Sequence, residues 1–289
     1  MKNLLKLEIS KALNNKFFIA SVIVGCLITT ASLIYNVKLY QNELESMSSL
    51  STSSTVTYNP SAAVYTVFNH WVGGEPFSLG SALYFFVFPL LVTIPFGWSY
   101  CEEKQRGYHK LVSVYGGKKS YFLAKYFAVG LSGGLAMVIP LMFNFLLATL
   151  FFPVVTPNVI YDIHYGVFGS SLMSTLFYTR PFLYLFFYLS IDFFYCGLLA
   201  CMSLGITSFI KHKWVVVIAP FFFCLVINFC TRFIYTSPTT VYKQLSPLYF
   251  LRPVESGYAA SWKVILISGL FLFLISVCLV WWERQHEIY

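Results

Sequence analysis

Charge is scarce in this chain. Asp, Glu, Lys and Arg make up only 10% of its 289 residues, against 58% hydrophobic, and the mean hydropathy is +0.71. A soluble domain carries about 25% charged residues, so too few are present to clothe a soluble core. Carboxylates are the rarer sign, with 11 Asp and Glu against 19 Lys and Arg. Metal and redox signals are also missing: no two cysteines form a C-x-x-C pair, and His70, His109, His164, His212 and His286 are scattered. Six of the seven cysteines lie in apolar runs and Cys101 at the cytoplasmic edge of one, with none in an external loop, so no disulfide framework is expected and no metal site either.

What is present is length of apolar sequence. A bilayer's hydrocarbon core is about 30 Å thick and takes about 20 apolar helical residues to cross. Six such runs occur, near Phe17 to Tyr35, Gly80 to Tyr100, Phe122 to Phe152, Pro181 to Phe209, Trp214 to Ile234 and Val264 to Trp282. The fold expected is an all-α polytopic membrane protein, one transmembrane domain over residues 1–289. The net charge of +8 does not signal a nucleic-acid partner, because the basic residues cluster between apolar runs as helix orientation demands.

The segments between the runs differ in character. Met1 to Lys16 places Leu4, Leu5, Ile9 and Leu13 at helical spacing among lysines, which predicts a short interfacial (elbow) helix over 1–16. The apolar run after it is too long for a signal-peptide h-region of roughly 7–15 residues, so an uncleaved first crossing is expected. Residues 36–79 are polar, rich in Ser and Thr and broken by Pro60, Gly73, Gly74 and Pro76. They predict an external loop, with Trp71 anchoring it at the headgroups. A second external segment, Pro153 to Arg180, carries Asp162 and His164, and a third covers 235–262, with a half-buried helix near Leu245 to Leu251. Pro89 and Pro95 predict a kink in the second run, and Gly130, Gly133 and Gly134 a close helix approach in the third. Placing the N-terminus inside leaves only Lys38, Arg180, Arg232, Lys243, Arg252 and Lys263 outside, which predicts both termini in the cytoplasm.

The most polar stretch is Trp98 to Tyr126. It holds Glu102, Glu103, Lys104, Arg106, His109 and Lys110, then the turn Gly116-Gly117 and the pair Lys118-Lys119. Gly117-Lys118-Lys119 is not a phosphate loop, because G-x-x-x-x-G-K-[ST] needs Ser or Thr where Lys119 stands and Gly where Val112 stands. Glu102-Glu103-x-x-Arg106 is one residue short of the E-E-x-x-x-R pattern of CAAX-type membrane proteases, and one residue turns a helical side chain by about 100°. The companion F-x-x-x-H is missing, since Phe209 precedes His212 by three positions. Nor is a G-x-S-x-G nucleophile elbow expected. The chain is therefore not expected to be an enzyme, and no cofactor is expected.

The segment as a whole, Glu103-x-x-x-Gly107 followed by Tyr108, Leu111 and Val112, the glycine turn and the lysine-bearing helix start Ser120-Tyr121-Phe122-Leu123-Ala124-Lys125, resembles the cytoplasmic loop of type-2 ABC transporter permeases. Leu111 stands one residue earlier than that pattern's Leu, and Val112 occupies its position. The resemblance implies that residues 101–121 form a coupling segment docking on a separate ATP-binding-cassette ATPase (nucleotide-binding) subunit. The contact residues it implies are Glu102, Glu103, Arg106, Gly107, Tyr108, Leu111 and Val112, with Lys211 and His212 as a smaller second contact. It further implies a second permease subunit, identical or paralogous, in a bacterial plasma membrane. The cargo expected is amphipathic: a hydrophobic peptide, an antibiotic or a lipid-like molecule. The competing expectation is a non-transporting sensor or scaffold whose external loops bind a ligand. Asp192 is the one acid well inside an apolar run. A structural hydrogen bond to a Tyr or Ser of a neighbouring helix is expected for it, with a place on a translocation path as the alternative.

Overall fold

The computed structural model describes residues 2–53, 64–75, 78–108, 112, 117–169, 171–234, 246–253 and 261–286. Every regular element among them is helical. Five helices are long and apolar enough to cross a membrane, which fits a multi-pass membrane protein. They are α2 (Lys16–Ser53), α6 (Lys118–Ala148), α9 (Pro181–Ile206), α10 (Lys213–Ile234) and α12 (Trp262–His286). Shorter elements join them: α1 (Lys2–Leu13), α3 (Val67–His70), α4 (Leu79–Thr93), α5 (Ser99–Gln105), α7 (Asp162–Tyr165), α8 (Ser174–Thr179) and α11 (Pro247–Phe250).

Two helices make the centre. α6 and α9 pack along their lengths, and α1, α2 and α4 cover other faces of α6, while α12 and α10 lie against α9. The crossing of α6 and α9 is possible because the residues there are small. A Cβ on Gly197 would stand 2.8 Å from the Gly130 carbonyl oxygen, and one on Gly133 would stand 2.5 Å from Ala200 Cβ. With little hydrophobic drive between helices in lipid, such close backbone contact is the main source of packing energy. Large apolar side chains point outward instead, among them Leu27, Phe194 and Leu266, which are 65%, 67% and 65% exposed. A soluble protein would bury them; a bilayer leaves them at rest.

α4 is an apolar helix of 15 residues, about 22 Å at the usual rise. Ser78 caps its start by accepting from the Ser81 N–H at 3.1 Å. It ends at Thr93, two residues before Pro95. Pro89 inside it leaves carbonyls without their usual N–H partners. The Thr93 hydroxyl donates at 2.8 Å to the carbonyl of Pro89 itself, one turn beyond the carbonyl that the proline frees.

The structure departs from the expectations in two places at the α2 side. The helix does not stop near Tyr35 but continues to Ser53, because Asn36 to Ser53 holds no Gly or Pro and its polar residues are compatible with a solvated helix face. Trp71 is not a headgroup anchor: it is only 3% exposed and packs edge-on against Phe145 at 5.7 Å. The segment 64–75 folds back over the middle of α2 and the end of α6. There the Asn144 side chain accepts from the Val72 N–H at 2.8 Å and donates to the Thr29 carbonyl at 2.7 Å. Of the stretch Leu245 to Leu251, Leu245 lies outside the described residues and Pro247–Phe250 forms α11, with Leu248 and Phe250 buried.

Candidate functional site

α5 lies at the end of the bundle where α1, the start of α6 and the α9–α10 turn meet. Its first residues, Ser99, Tyr100 and Cys101, are buried and anchor it. Its C-terminus closes with Gly107 in the left-handed region at φ 72°, the Gly107 N–H donating to the Lys104 carbonyl at 3.2 Å. Glycine is the residue that adopts this conformation without a Cβ penalty.

Consecutive residues on a helix point about 100° apart, and Glu102 and Glu103 accordingly enter separate networks. Glu103 turns inward. Its Oε2 lies 2.9 Å from Lys125 Nζ and accepts from the Tyr121 hydroxyl. Lys125 Nζ also donates to Glu8 Oε2 at 3.0 Å, and both of those side chains are fully buried. Lys11 closes the figure, 3.0 Å from Glu8 Oε1 and 3.6 Å from Glu103 Oε1. Two ammonium groups therefore alternate with two carboxylates, so the cluster is formally neutral and each buried charge has its counter-charge. That pairing matters because a lone buried ion costs several kcal/mol. The ring of Phe96 lies 4.4 Å from Lys125 Nζ, and the ring of Tyr108 lies 4.7 Å from Lys11 Nζ. Partial burial pulls the Lys11 ammonium down, but the hydrogen bond and charge of Glu8 and the charge of Glu103 outweigh it and leave it raised.

Glu102 turns the other way. It is paired with Arg106 one turn on, and its Oε2 lies 3.7 Å from Lys213 Nζ at the start of α10. The Gln105 amide donates to the Lys211 carbonyl, as does the Cys101 thiol at 3.2 Å. Burial raises the Cys101 thiol above its ordinary value, in keeping with its role as a weak donor to the Lys211 carbonyl. α5 is thus tied on one flank to α1 and α6, and on the other to the turn entering α10.

The expected contact residues sort themselves by exposure. Arg106 keeps 74% of its side chain in solvent, Tyr108, Lys211 and His212 are exposed, and Val112 is half-buried against the core at this end. Leu111 lies outside the described residues. Glu103 faces the protein, and only Glu102 and its neighbours remain near the surface. Sequence reading missed four members of the inner network: Glu8, Lys11, Tyr121 and Lys125. Two signals were available. Glu8 is the single acid of a lysine-rich amphipathic helix, and Tyr121 and Lys125 sit one turn apart on α6, beyond the Lys118-Lys119 pair that orients it.

Asp192 departs from the expected hydrogen bond. It is fully buried on α9, and neither carboxylate oxygen has a hydrogen-bond partner among the described residues. Tyr84 is close enough to feel its charge, but the Tyr84 hydroxyl donates instead to the Met137 carbonyl at 2.7 Å. The string Gly130-Leu131-Ser132-Gly133-Gly134 has the letters of a nucleophile elbow but lies in the middle of α6. Ser132 there is buried and donates to the Val129 carbonyl at 3.0 Å. No strand leads into it, so the strained turn that exposes such a serine is missing.

Two cavities formed by the described residues flank this architecture. One, of about 870 Å³, is an apolar groove between α6, α9 and α12, bordered by Phe127, Phe187, Phe194, Trp262 and Phe273. The other, of about 380 Å³, lies at the opposite end from α5, between α2 and the 64–75 segment. Among the described residues no group of three His, Cys, Asp or Glu side chains is placed to hold a metal ion. Comparison with protein-family models, curated proteins and solved structures yields no match.

Proposed function

We propose that the chain is the membrane-spanning subunit of an ATP-binding-cassette exporter, with α5 and the residues after it as the surface that receives a separate ATPase subunit. The observation that carries this reading is the double attachment of α5. Glu103 joins it to Lys125 of α6 and, through Lys125 and Lys11, to Glu8 of α1. Gln105 and Cys101 join it to the turn before α10. A push on a free loop dissipates in the loop. A push on this segment reaches α1 and α6 through buried charge pairs that resist separation, and the turn entering α10 through hydrogen bonds.

On this reading α4 is a sixth crossing. Its 15 residues are extended on one side by the turn through Trp98 and on the other by the Ser78 cap. Six crossings put both termini on the side of α5, in line with the weight of Lys and Arg there. The groove between α6, α9 and α12 is suited in size and polarity to an amphipathic cargo. Two permease subunits, identical or paralogous, would complete a path. ATP hydrolysis belongs to the partner, and no catalytic residue is assigned to this chain.

A second reading, a sensor or scaffold, draws on the smaller cavity at the far end. The test is photocrosslinking from position 106 or 108 in native membranes. The transporter reading expects adducts to a nucleotide-binding chain from both positions. Labelling of lipid alone from both would overturn it.

A further inference from the structure

The cavity at the far end from α5 has a lining that is unusual in so basic a protein. It carries two carboxylates, Glu43 and Glu75, and three phenol rings, Tyr35, Tyr40 and Tyr65, and no Lys or Arg among the described residues lines it. Its volume of about 380 Å³ falls in the small-ligand range of roughly 300–1,000 Å³. From these facts we infer that this cavity binds an organic ammonium ion, its cationic head set among the tyrosine faces and balanced by Glu43.

The walls are built to hold their shape. Tyr35, Leu39 and Glu43 follow one another at helical spacing along one face of α2, and Asn36 and Tyr40 lie beside them. Tyr40 and Tyr65 meet with ring centroids 4.7 Å apart, and Tyr65 packs on His70 at 5.1 Å. The Asn36 amide donates to the His70 carbonyl at 3.1 Å, and the Asn69 amide to the Val64 carbonyl at 3.1 Å. Ser78 N–H donates to both Glu75 oxygens at 2.8 Å, which fixes that carboxylate at the floor, with Arg252 near enough to feel its charge. Glu43 is exposed at the mouth. His70 Nδ1 lies 3.0 Å from the Thr66 carbonyl and 2.8 Å from Asn69 Oδ1. Both are acceptors, so Nδ1 carries the proton. His164 borders the mouth opposite α2.

The chemistry selects the ligand class. Aromatic faces attract cations through their quadrupole, tyrosine among them, and most strongly for ammonium groups that shed water easily. A metal ion needs converging lone pairs, and no metal-holding cluster is present among the described residues. An anion would face two carboxylates. The site lies at the opposite end of α2 from the α5 hub, and its occupancy does not depend on an ATPase partner.

The test is direct binding to the purified full chain in lipid nanodiscs by calorimetry, with choline as the cation and 3,3-dimethyl-1-butanol as its uncharged isostere. Saturable choline binding with no heat from the isostere is expected. Glu43→Gln and Tyr40→Leu should each weaken it about tenfold, while Tyr40→Phe, which keeps the ring, should bind within a factor of about two or three. Absence of saturable choline binding, equal binding of the isostere, or wild-type affinity in Glu43→Gln would overturn the assignment. Because no ATPase is present in the assay, none of these results bears on the transporter reading.

Discussion

Lys125 decides most at the scale of single residues. Its ammonium has no exposed surface and two carboxylate partners, Glu8 and Glu103. Lys125→Met leaves Glu8 buried with only Lys11 opposite it, and breaking such a buried pair costs about 3–5 kcal/mol. The expected outcome is a lower unfolding temperature in detergent. Adding Glu8→Gln to that variant should recover part of the loss, a coupling that a double-mutant cycle measures. Arg106→Ala should change stability by less than about 0.5 kcal/mol, since exposed pairs of this kind contribute little. Gly107→Ala should cost about 1–2 kcal/mol through its left-handed backbone alone. His70 gives a pH dependence. Burial holds its imidazole below the ordinary 6.5, against the smaller opposing effects of the Thr66 carbonyl and the charge of Glu75. The unfolded chain then binds more protons than the folded one in the window just under 6.5. Stability contributed by neutral His70 is complete above pH 6.5 and lost as pH falls through that window; His70→Gln should flatten this part of the pH–stability curve. Glu103, Arg106 and Gly107 stood out in the sequence and Lys125 marked a helix start, but nothing there pointed to Glu8 or to the pairing of these charges. A buried lysine or glutamate is indistinguishable there from an orienting surface charge until a partner almost 120 residues away is brought to it.

Elements were read more easily than sites, and for a physical reason. Apolar runs of membrane length announce themselves by composition alone, so α6, α9, α10 and α12 appear close to their expected limits. Gly130 and Gly133 marked the crossing with α9 because only small residues let two backbones approach. Gly197→Leu should drive that crossing apart, since even a Cβ would meet the Gly130 carbonyl oxygen at 2.8 Å. A loss of about 1–3 kcal/mol or more, read as a lower unfolding temperature, is expected, against a near-silent Gly269→Ala, whose Cβ would meet nothing within 4 Å. The extension of α2 to Ser53 escaped notice because a solvated helix and a Ser-rich loop share one composition. The fold of 64–75 over the bundle escaped because it depends on Asn144 of α6, a partner 72 residues from Val72.

Across the whole molecule, α2 joins two ends of different chemistry. Near Lys16 stands a hub of paired charges around α5; near Glu43 stands a small acidic, aromatic cavity. Between them runs a bundle whose outward faces are apolar and whose centre is closed by small residues. That division suits a protein driven at one end and loaded or sensed elsewhere. Asp192 remains the exception within the bundle, a buried carboxyl without a hydrogen-bond partner among the described residues, and Asp192→Asn should stabilise or be neutral if its role is packing alone.

The central claim is that α5 receives force from another chain. Its most direct measurement is copurification of the tagged protein from native membranes, wild type against the double variant Arg106→Glu with Tyr108→Ala, both positions lying on the exposed side of the hub. The account predicts a stoichiometric nucleotide-binding chain with the wild type, lost in the double variant while the unfolding temperature stays unchanged. Wild-type protein that emerges alone, or a partner retained undiminished by the double variant, would contradict it.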